Sequence, residues 1–344
     1  MAASDYQYNH FNVTFPSEYV AQVEINRPAK LNAFFEQMWV DLGAIFRKLS
    51  VDPDVRAIIL TAAGDRAFTA GLDVQAASTE GVLAQQKGPS DGARTAVRIR
   101  RHMQGFQDDI TALEKCEKPV IAVLHGISYG LAIDMTTACD IRICSKDTRF
   151  SVREVEIGLA ADIGTLTRLP KANVPMSWVK EVCLTARDFY ADEALRVGFV
   201  SAVYESKAAA LEKAIEMGKL LATKSPVAVQ STKEVINFSR DHSVADGECG
   251  GMAECRTIML TLGHRSQLCE GVERLGTANQ GCPRCDAGRT EETKAHLCEA
   301  VTVNANHRPS LLPRIPSPHF TAVHSSLPAR ATHNPPSSRI FFVC

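Results

Sequence analysis

Four apolar, β-branched segments separated by helical patterns place the strongest constraint on the fold of this chain. The segments are VAQVEINR from Val20, VRAIILTAA from Val55, PVIAVLHG from Pro119 and DIRICS from Asp140. Each is bounded by turn residues, which is typical of a β-strand. Between them, EQMWVDLGAIFRKLS from Glu36 and IRRHMQGFQDDITALEKCE from Ile99 repeat apolar residues at three-to-four spacing, as amphipathic helices do. The alternation predicts an α/β fold in which helices pack on sheets.

Charge and hydropathy exclude several classes of protein. The 344 residues carry a net charge of −1 and 45% hydrophobic side chains, which indicates a soluble globular protein without a charge bias toward nucleic acid or membrane. No apolar run reaches the ~18 residues of a membrane span. The start, MAASDYQYNHF, lacks the basic and apolar regions of a secretory signal.

The composition changes after about Gly247. Residues 301–344 hold seven prolines and four histidines without lasting periodicity, so we predict a disordered or poorly packed segment. This divides the chain into an α/β domain, residues 1–247, and an atypical tail, residues 248–344. The abrupt break also suggests the hypothesis that the tail is translated non-coding or frame-shifted sequence, an artefact of the gene model.

Cysteines follow the same division. Cys116, Cys139, Cys144 and Cys183 precede residue 240 and, without a signal peptide, are predicted to be reduced and mostly buried. In the tail, Cys282-Pro-Arg-Cys285 with His296 and Cys298 resembles a zinc pattern. One CxxC in a proline-rich region is weak support, so we expect no metal site.

Three acids lie in otherwise apolar surroundings. Asp134 follows a tight turn at Gly130 and could simply complement a helix dipole. Glu154, beside Arg153, could be a solvated surface charge, and Asp162 is placed as a helix N-cap. Taken together, however, carboxyls in apolar surroundings have raised pKa values and can act as a base and an acid on one substrate.

A turn of small residues, AFTAGLDV from Ala67 to Val74, follows the second predicted strand. Such a turn opening a helix presents free backbone N–H groups that can hold a developing oxyanion. The alternative is an ordinary strand-to-helix turn with Gly71 for backbone freedom. Phosphate-binding GxxxxGK[ST] loops, GxSxG nucleophile elbows and GxGxxG dinucleotide motifs are absent from the sequence.

Five motifs in fixed order carry a family resemblance. They are INRPAKLNAF, AFTAGLDV, KPVIAVLHGISYGLAID, ACDIRICSKDTRFSVREVEIGLAADIGTLTRLP and YADEALRVGFVSAVY. From about residue 8 to residue 245 the chain resembles the enoyl-CoA hydratase/isomerase (crotonase) superfamily. Within it, the aspartate of EVxxGLAAD makes the chain most similar to the Δ3,5-Δ2,4-dienoyl-CoA isomerases, since hydratases usually have glycine at Asp162.

The resemblance implies an α/β fold built as a crotonase-like spiral of ββα units, and it implies the site. Glu154 and Asp162 match the proton-transfer pair, Asp134 matches a third acid of the pocket, and Glu156 has no matching role and is expected to be a surface charge. The backbone N–H groups of Leu72 and Leu131 match the oxyanion donors. The implied substrate-binding residues are Ala70, Gly71, Leu72, Asp73, Val74 and Leu131. Leu131 stands where relatives often have glycine and could narrow the acyl pocket.

The implied activity moves the double bonds of a 3,5-dienoyl-CoA to the 2,4 positions, in fatty-acid β-oxidation or in a fungal pathway to fatty-acid-derived toxins. An acyl-CoA thioester is the expected substrate, no metal or redox cofactor is expected, and a homotrimer or homohexamer is expected if the C-terminus permits it. Peroxisomal localisation follows from the family although FFVC is no targeting tripeptide, and the cytoplasm is the alternative. Three other functions stay open: enoyl-CoA hydratase, Δ3-Δ2-enoyl-CoA isomerase, and an inactive CoA-binding remnant.

Overall fold

The computed structural model describes residues 6–80 and 91–246 of the chain. The predictions for the tail, residues 248–344, and for the zinc-like pattern at Cys282 lie outside these residues. Within the described residues no helix is both long and apolar enough to cross a membrane.

Strands of the described residues form two sheets. The strands are β1 (Gln7–Tyr8), β2 (Phe11–Ser17), β3 (Val20–Ile25), β4 (Ala57–Ala62), β5 (Ala67–Thr69), β6 (Val120–Leu124), β7 (Ile127–Tyr129), β8 (Ile141–Ser145), β9 (Arg149–Ser151), β10 (Phe189–Tyr190) and β11 (Ala202–Tyr204). The large sheet has the order β1-β2-β3-β4-β6-β8-β11 and the small sheet the order β10-β9-β7-β5. Strands β3, β4, β6, β8 and β11 pair in parallel, which requires crossover connections.

Helices supply those connections. They are α1 (Glu36–Val51), α2 (Val74–Glu80), α3 (Gly92–Lys115), α4 (Leu131–Thr137), α5 (Thr165–Arg168), α6 (Met176–Thr185), α7 (Ala191–Arg196), α8 (Lys207–Ala222), α9 (Pro226–Ser239) and α10 (Val244–Asp246). The predicted α/β fold is therefore confirmed.

Both faces of the central strands β4 and β6 are buried, which explains why these two strands are almost entirely apolar. Ile58 and Leu60 of β4 face the main core, which also contains apolar side chains of α1 and α3. Ile59 faces the other way, into a second core that α8 completes with Ala210 and Ala214. Each of these three fully buried β4 side chains contributes about 1.5–3 kcal/mol of transfer free energy.

A repeated ββα unit relates the two sheets. The pairs β4–β5, β6–β7 and β8–β9 each contribute one strand to the large sheet and the next strand to the small one, and helices follow each pair. The predicted spiral of ββα units is confirmed by this repeat. The strands of the small sheet have only two or three residues, too few for a periodic hydrophobic signal, and β5, β7, β9 and β10 all lie outside the four strands predicted from the sequence.

One helix is longer than its hydrophobic pattern. The apolar repeat begins at Ile99, whereas α3 begins at Gly92 because the Asp91 side chain accepts a hydrogen bond from the Arg94 N–H and caps the helix. The extra turns are largely exposed, so they carry no amphipathic pattern.

Candidate active site

Three strands of the small sheet end at one edge of the molecule. Strands β5, β7 and β9 are parallel neighbours, and Tyr129 at the end of β7 pairs with Ser151 at the end of β9. The Gly130 N–H donates to the Ser151 carbonyl at 2.9 Å. Because the carboxyl ends of parallel strands meet at the same edge, the segments that follow the three strands emerge side by side.

Backbone segments from β5 and β7 are in direct contact at this edge. Gly71 has φ +95°, in the left-handed region that favours glycine. A Cβ atom on Gly71 would lie 3.1 Å from the Tyr129 carbonyl oxygen and 3.6 Å from the Leu131 nitrogen. The turn after β5 therefore approaches the first residue of α4 without room for a side chain.

Two backbone N–H groups at this contact, those of Leu72 and Leu131, donate no hydrogen bond within the described residues. The N–H groups of the residues on either side of Leu72 already have acceptors. The Gly71 N–H donates to Thr69 Oγ1 at 3.1 Å, and the Asp73 N–H donates to the Phe34 carbonyl at 2.7 Å. Leu131 begins α4, so its N–H has no acceptor within the helix. The free pair can hold a negatively charged oxygen.

Other residues of the predicted substrate segment have structural partners. The Ala70 N–H donates to the Leu31 carbonyl at 2.9 Å, and Val74 is 51% exposed. Asp73 accepts from the Ala76 N–H at the start of α2 and from Arg27. The Ala76 N–H and then Arg27 hold the pKa of Asp73 below its ordinary value. Contact of these residues with a substrate stays a prediction.

Glu154 lies immediately beside the contact between these segments. Its Oε1 is 3.1 Å from the position that a Cβ on Gly130 would occupy, and its Oε2 is buried without a hydrogen-bond partner in the described residues. Burial, reinforced by the neighbouring Asp134 charge, raises the pKa of Glu154 to about 7. The alternative that Glu154 is a solvated surface charge is therefore wrong.

Arg153 does not pair with Glu154. Its guanidinium donates to Glu156 and to Asp188, each at 2.7 Å, and stacks over the Tyr129 ring at 4.6 Å. Glu156 is exposed, so its prediction as a surface charge is confirmed. Arg153 thus leaves the adjacent Glu154 without a compensating cation.

Asp134 lies in the first turn of α4 and is 2% exposed. Its Oδ1 accepts hydrogen bonds from the N–H of Thr165 at 2.6 Å and from the Thr165 hydroxyl at 2.8 Å. Burial raises the pKa of Asp134 to about 6, although the two Thr165 bonds work in the opposite direction. The Asp134 side chain thus contacts the start of α5, and it lies close enough to Glu154 for its charge to raise the pKa of Glu154.

Asp162 lies in the turn that precedes α5 and is half-buried. The N-cap of α5 is Gly164, so the alternative that Asp162 is the helix N-cap is wrong. Burial raises the pKa of Asp162, and the charge of Asp162 raises the pKa values of Glu154 and Asp134 in turn. The structure therefore brings the three predicted acids together at one site.

Two supporting residues escaped the sequence analysis. Gln107 of α3 donates from Nε2 to the Asp162 carbonyl at 2.9 Å and holds the turn, and Thr165 holds Asp134. Gln107 is more than fifty residues from its partner and Thr165 is thirty-one from its own, so no local spacing could have indicated either contact.

Metal-binding side chains do not cluster near these acids. Among residues 6–80 and 91–246 no group of three or more His, Cys, Asp and Glu side chains could hold a metal ion. The four cysteines of this part of the chain, Cys116, Cys139, Cys144 and Cys183, are free and buried, as predicted.

Comparison with known proteins identifies the family of the chain. The profile of the enoyl-CoA hydratase/isomerase family matches residues 16–248. A mitochondrial Δ(3,5)-Δ(2,4)-dienoyl-CoA isomerase of Pongo abelii is 44% identical over 71% of this chain and 73% of that protein. A peroxisomal enzyme of the same name from Arabidopsis thaliana is 40% identical over 65% of this chain and 79% of that protein.

A solved structure supports the fold alone. The crystal structure of an enoyl-CoA hydratase from Bacillus anthracis superposes with a TM-score of 0.68 at 23% identity, covering 80% of this chain and 98% of that one. The repeated ββα units, the family profile over most of the described residues and the identity to curated relatives lead to one conclusion. The chain belongs to the enoyl-CoA hydratase/isomerase family.

Proposed function

We propose that this protein is an acyl-CoA isomerase that converts a 3,5-dienoyl-CoA into the 2,4-dienoyl-CoA. The observation that carries the proposal is a third carboxyl, Asp162, in the turn before α5, three residues before the Thr165 N–H that donates to Asp134. A hydratase needs two acids around a water molecule, whereas the shift of two conjugated double bonds takes a proton from C2 and needs a proton donor at the distant C6. The names of the relatives support the same reaction.

The geometry favours one assignment of the acids. The thioester oxygen would accept from the N–H groups of Leu72 and Leu131, which places C2 close to this pair. Glu154 lies next to Gly130, the residue before Leu131, so we assign it to the proton at C2. Asp162, in the turn before α5, would then serve C6.

The proposed reaction needs no reagent beyond the substrate, the protein and protons exchanged with solvent. Glu154 takes the C2 proton, and the electron pair of the broken C–H bond moves into a dienolate whose negative oxygen is held by the two N–H groups. As Asp162 gives its proton to C6, the electrons shift to form the C2=C3 and C4=C5 double bonds of the product. Exchange with solvent restores an ionised Glu154 and a protonated Asp162. No metal or redox cofactor takes part, and coenzyme A is part of the substrate.

The first test follows the ultraviolet absorbance of the 2,4-dienoyl thioester when the purified full chain meets a 3,5-dienoyl-CoA. We expect fast diene formation and slow hydration of a 2-enoyl-CoA in a parallel assay. In D₂O the product should carry deuterium at C6, because the donor exchanges with solvent. Fast hydration with slow isomerisation would favour the hydratase, and a product without deuterium would mean that one carboxyl carries the same proton to both carbons.

A second test concerns the oxyanion donors. Gly71→Ala places a Cβ against the Tyr129 carbonyl and strains a backbone at φ +95°, which should displace the Leu72 N–H. We expect kcat to fall about 10²-fold, the effect of losing one oxyanion donor. Gly198→Ala is the matched control, since Gly198 has φ +82° with nothing within 4 Å of its Cβ position. Equal losses in both variants would indicate strain rather than a role for the donor.

Pathway, location and assembly are proposed from the relatives. We infer a role in fatty-acid β-oxidation, while toxin biosynthesis stays a prediction. The relatives are named as peroxisomal in Arabidopsis thaliana and mitochondrial in Pongo abelii, and we propose the peroxisome, to be tested by imaging a fluorescent fusion. A homotrimer or homohexamer is the proposed assembly, and light scattering of the purified chain tests it.

A further inference from the structure

Helices α4 and α5 meet through one side-chain pair. Thr165 is fully buried at the first position of α5, and both its N–H and its hydroxyl donate to the same Oδ1 atom of Asp134. Gly164 before it has no side chain to cap the helix, so Asp134 accepts the N-terminal hydrogen bond in its place. Two donors on one oxygen stabilise the ionised carboxylate over the neutral acid.

The partner carboxyl has the opposite surroundings. Glu154 Oε2 is buried without a hydrogen-bond partner in the described residues, which disfavours a charge on Glu154. Since Glu154 and Asp134 repel each other when both are ionised, the pair retains a proton near neutral pH. The hydrogen bonds to Asp134 direct this proton to Glu154.

Other titratable and charged groups face the pair from each neighbouring element. Arg168 of α5 favours the Asp134 charge and is itself held by Glu114 at 3.0 Å. Asp162, in the turn before α5, disfavours a charge on either acid when it is itself ionised. Burial and the two acids raise the pKa of Cys183 on α6 to about 11, so this thiol is neutral. Arg168 and Thr165 favour the charge of Asp134, whereas the hydrogen bond that Glu154 receives from its own backbone favours its charge less than burial disfavours it.

We propose that Thr165 is a positioning residue that keeps Asp134 ionised and thereby places the proton shared by Asp134 and Glu154 on Glu154. The catalytic consequence rests on the proposed function. The Asp134 charge keeps Glu154 titrating near neutral pH, where a carboxyl can both accept a proton from C2 and release it to solvent. Without the Thr165 hydroxyl, Asp134 takes the proton, its charge disappears, and Glu154 ionises at lower pH.

Thr165→Val tests this in the full chain, because valine keeps the shape and the N–H but removes the hydroxyl donor. The readout is a ¹³C NMR titration of labelled Asp and Glu carboxyls, with the two signals assigned from Asp134→Asn and Glu154→Gln spectra. We expect the Glu154 midpoint to fall by about one pH unit, the size of one charge-assisted hydrogen bond, and the Asp134 midpoint to rise. Thr165→Ser, which keeps the hydroxyl, should titrate as the unsubstituted chain does.

A double substitution separates this role from mere packing. In an Asp134→Asn background, Thr165→Val should leave the Glu154 midpoint unchanged, because the charge that transmits the effect is absent. Three results would each overturn the proposal. The first is an unchanged Glu154 midpoint in Thr165→Val, and the second is the same shift of that midpoint in the Asp134→Asn background. The third is a shift in Thr165→Ser equal to that in Thr165→Val. If the valine variant does not fold, Thr165→Ala removes the same donor with less bulk.

The titration does not depend on turnover. A chain that fails to isomerise dienoyl-CoA but shows the expected midpoints would contradict the proposed function and leave the role of Thr165 intact. In an active chain the rising limb of kcat/KM against pH should move to lower pH in Thr165→Val, in step with the Glu154 midpoint. Loss of activity with an unmoved limb would assign Thr165 to packing instead.

Discussion

Glu154→Gln should lower the rate of dienoyl-CoA isomerisation by about 10²- to 10⁴-fold, the usual contribution of a positioned proton-transfer group. Glutamine keeps the shape of the side chain beside Gly130 but cannot accept the C2 proton. The measurement is the appearance of 2,4-dienoyl-CoA under saturating substrate. The variant should also lose exchange of the C2 proton with D₂O, since exchange needs the same base.

Glu156→Gln is the matched control for this variant. It makes the same chemical change two residues away, on an exposed side chain that pairs with Arg153. We expect its activity to stay close to that of the unsubstituted protein. If Glu154→Gln retained C2 exchange, the base would have to be another of the three carboxyls.

The Glu154→Gln variant should be more stable than the unsubstituted protein at pH 8, although it is less active. The folded state raises the pKa of Glu154 from the ordinary 4.5 to about 7, so between these values the folded chain holds a proton that the unfolded chain has released. The free energy of unfolding therefore falls as pH rises through this window. Because glutamine cannot ionise, Glu154→Gln should have the higher Tm at pH 8, with the difference shrinking toward pH 4. A pH-independent difference would contradict the raised pKa.

Asp162→Asn should lower dienoyl isomerisation by a similar factor of about 10² to 10⁴, for a different reason. Asparagine has no acidic proton to give to C6. The enolate intermediate therefore forms but is not protonated at C6, and no product results. Exchange of the C2 proton with D₂O should therefore persist, because Glu154 and the backbone donors are intact. Any hydration of 2-enoyl-CoA by the Asp134–Glu154 pair should persist as well.

The control for Asp162→Asn is Asp108→Asn. Asp108 is exposed on α3, next to Gln107, and accepts a hydrogen bond from Gln104. Its replacement should leave both reactions unchanged. Near-full isomerisation by Asp162→Asn would rule out Asp162 as the donor, and parallel loss of isomerisation, exchange and hydration would mean that Asp162 only shapes the turn.

Hydrophobic patterning alone was enough to predict four strands of the large sheet, β3, β4, β6 and β8, together with helix α1 and most of helix α3. The reason is local: a strand buried on both faces must be apolar throughout, as Ile58, Ile59 and Leu60 are, and a helix on a sheet must repeat its apolar residues every three to four positions. The motif resemblance then identified which acids matter. Alone, each of those acids also fitted an ordinary role.

Tertiary structure decided between those roles, because they depend on contacts between distant parts of the chain. Gly71 and Leu131 meet only because β5 and β7 are neighbours in the small sheet, and its strands are too short to be predicted. Asp162 fits an N-cap by sequence, yet the helix begins three residues later and Asp134 accepts its first hydrogen bond. Charge on a carboxyl depends on what surrounds it in space, so the sequence could name the acids while only the fold could set their pKa values and their partners.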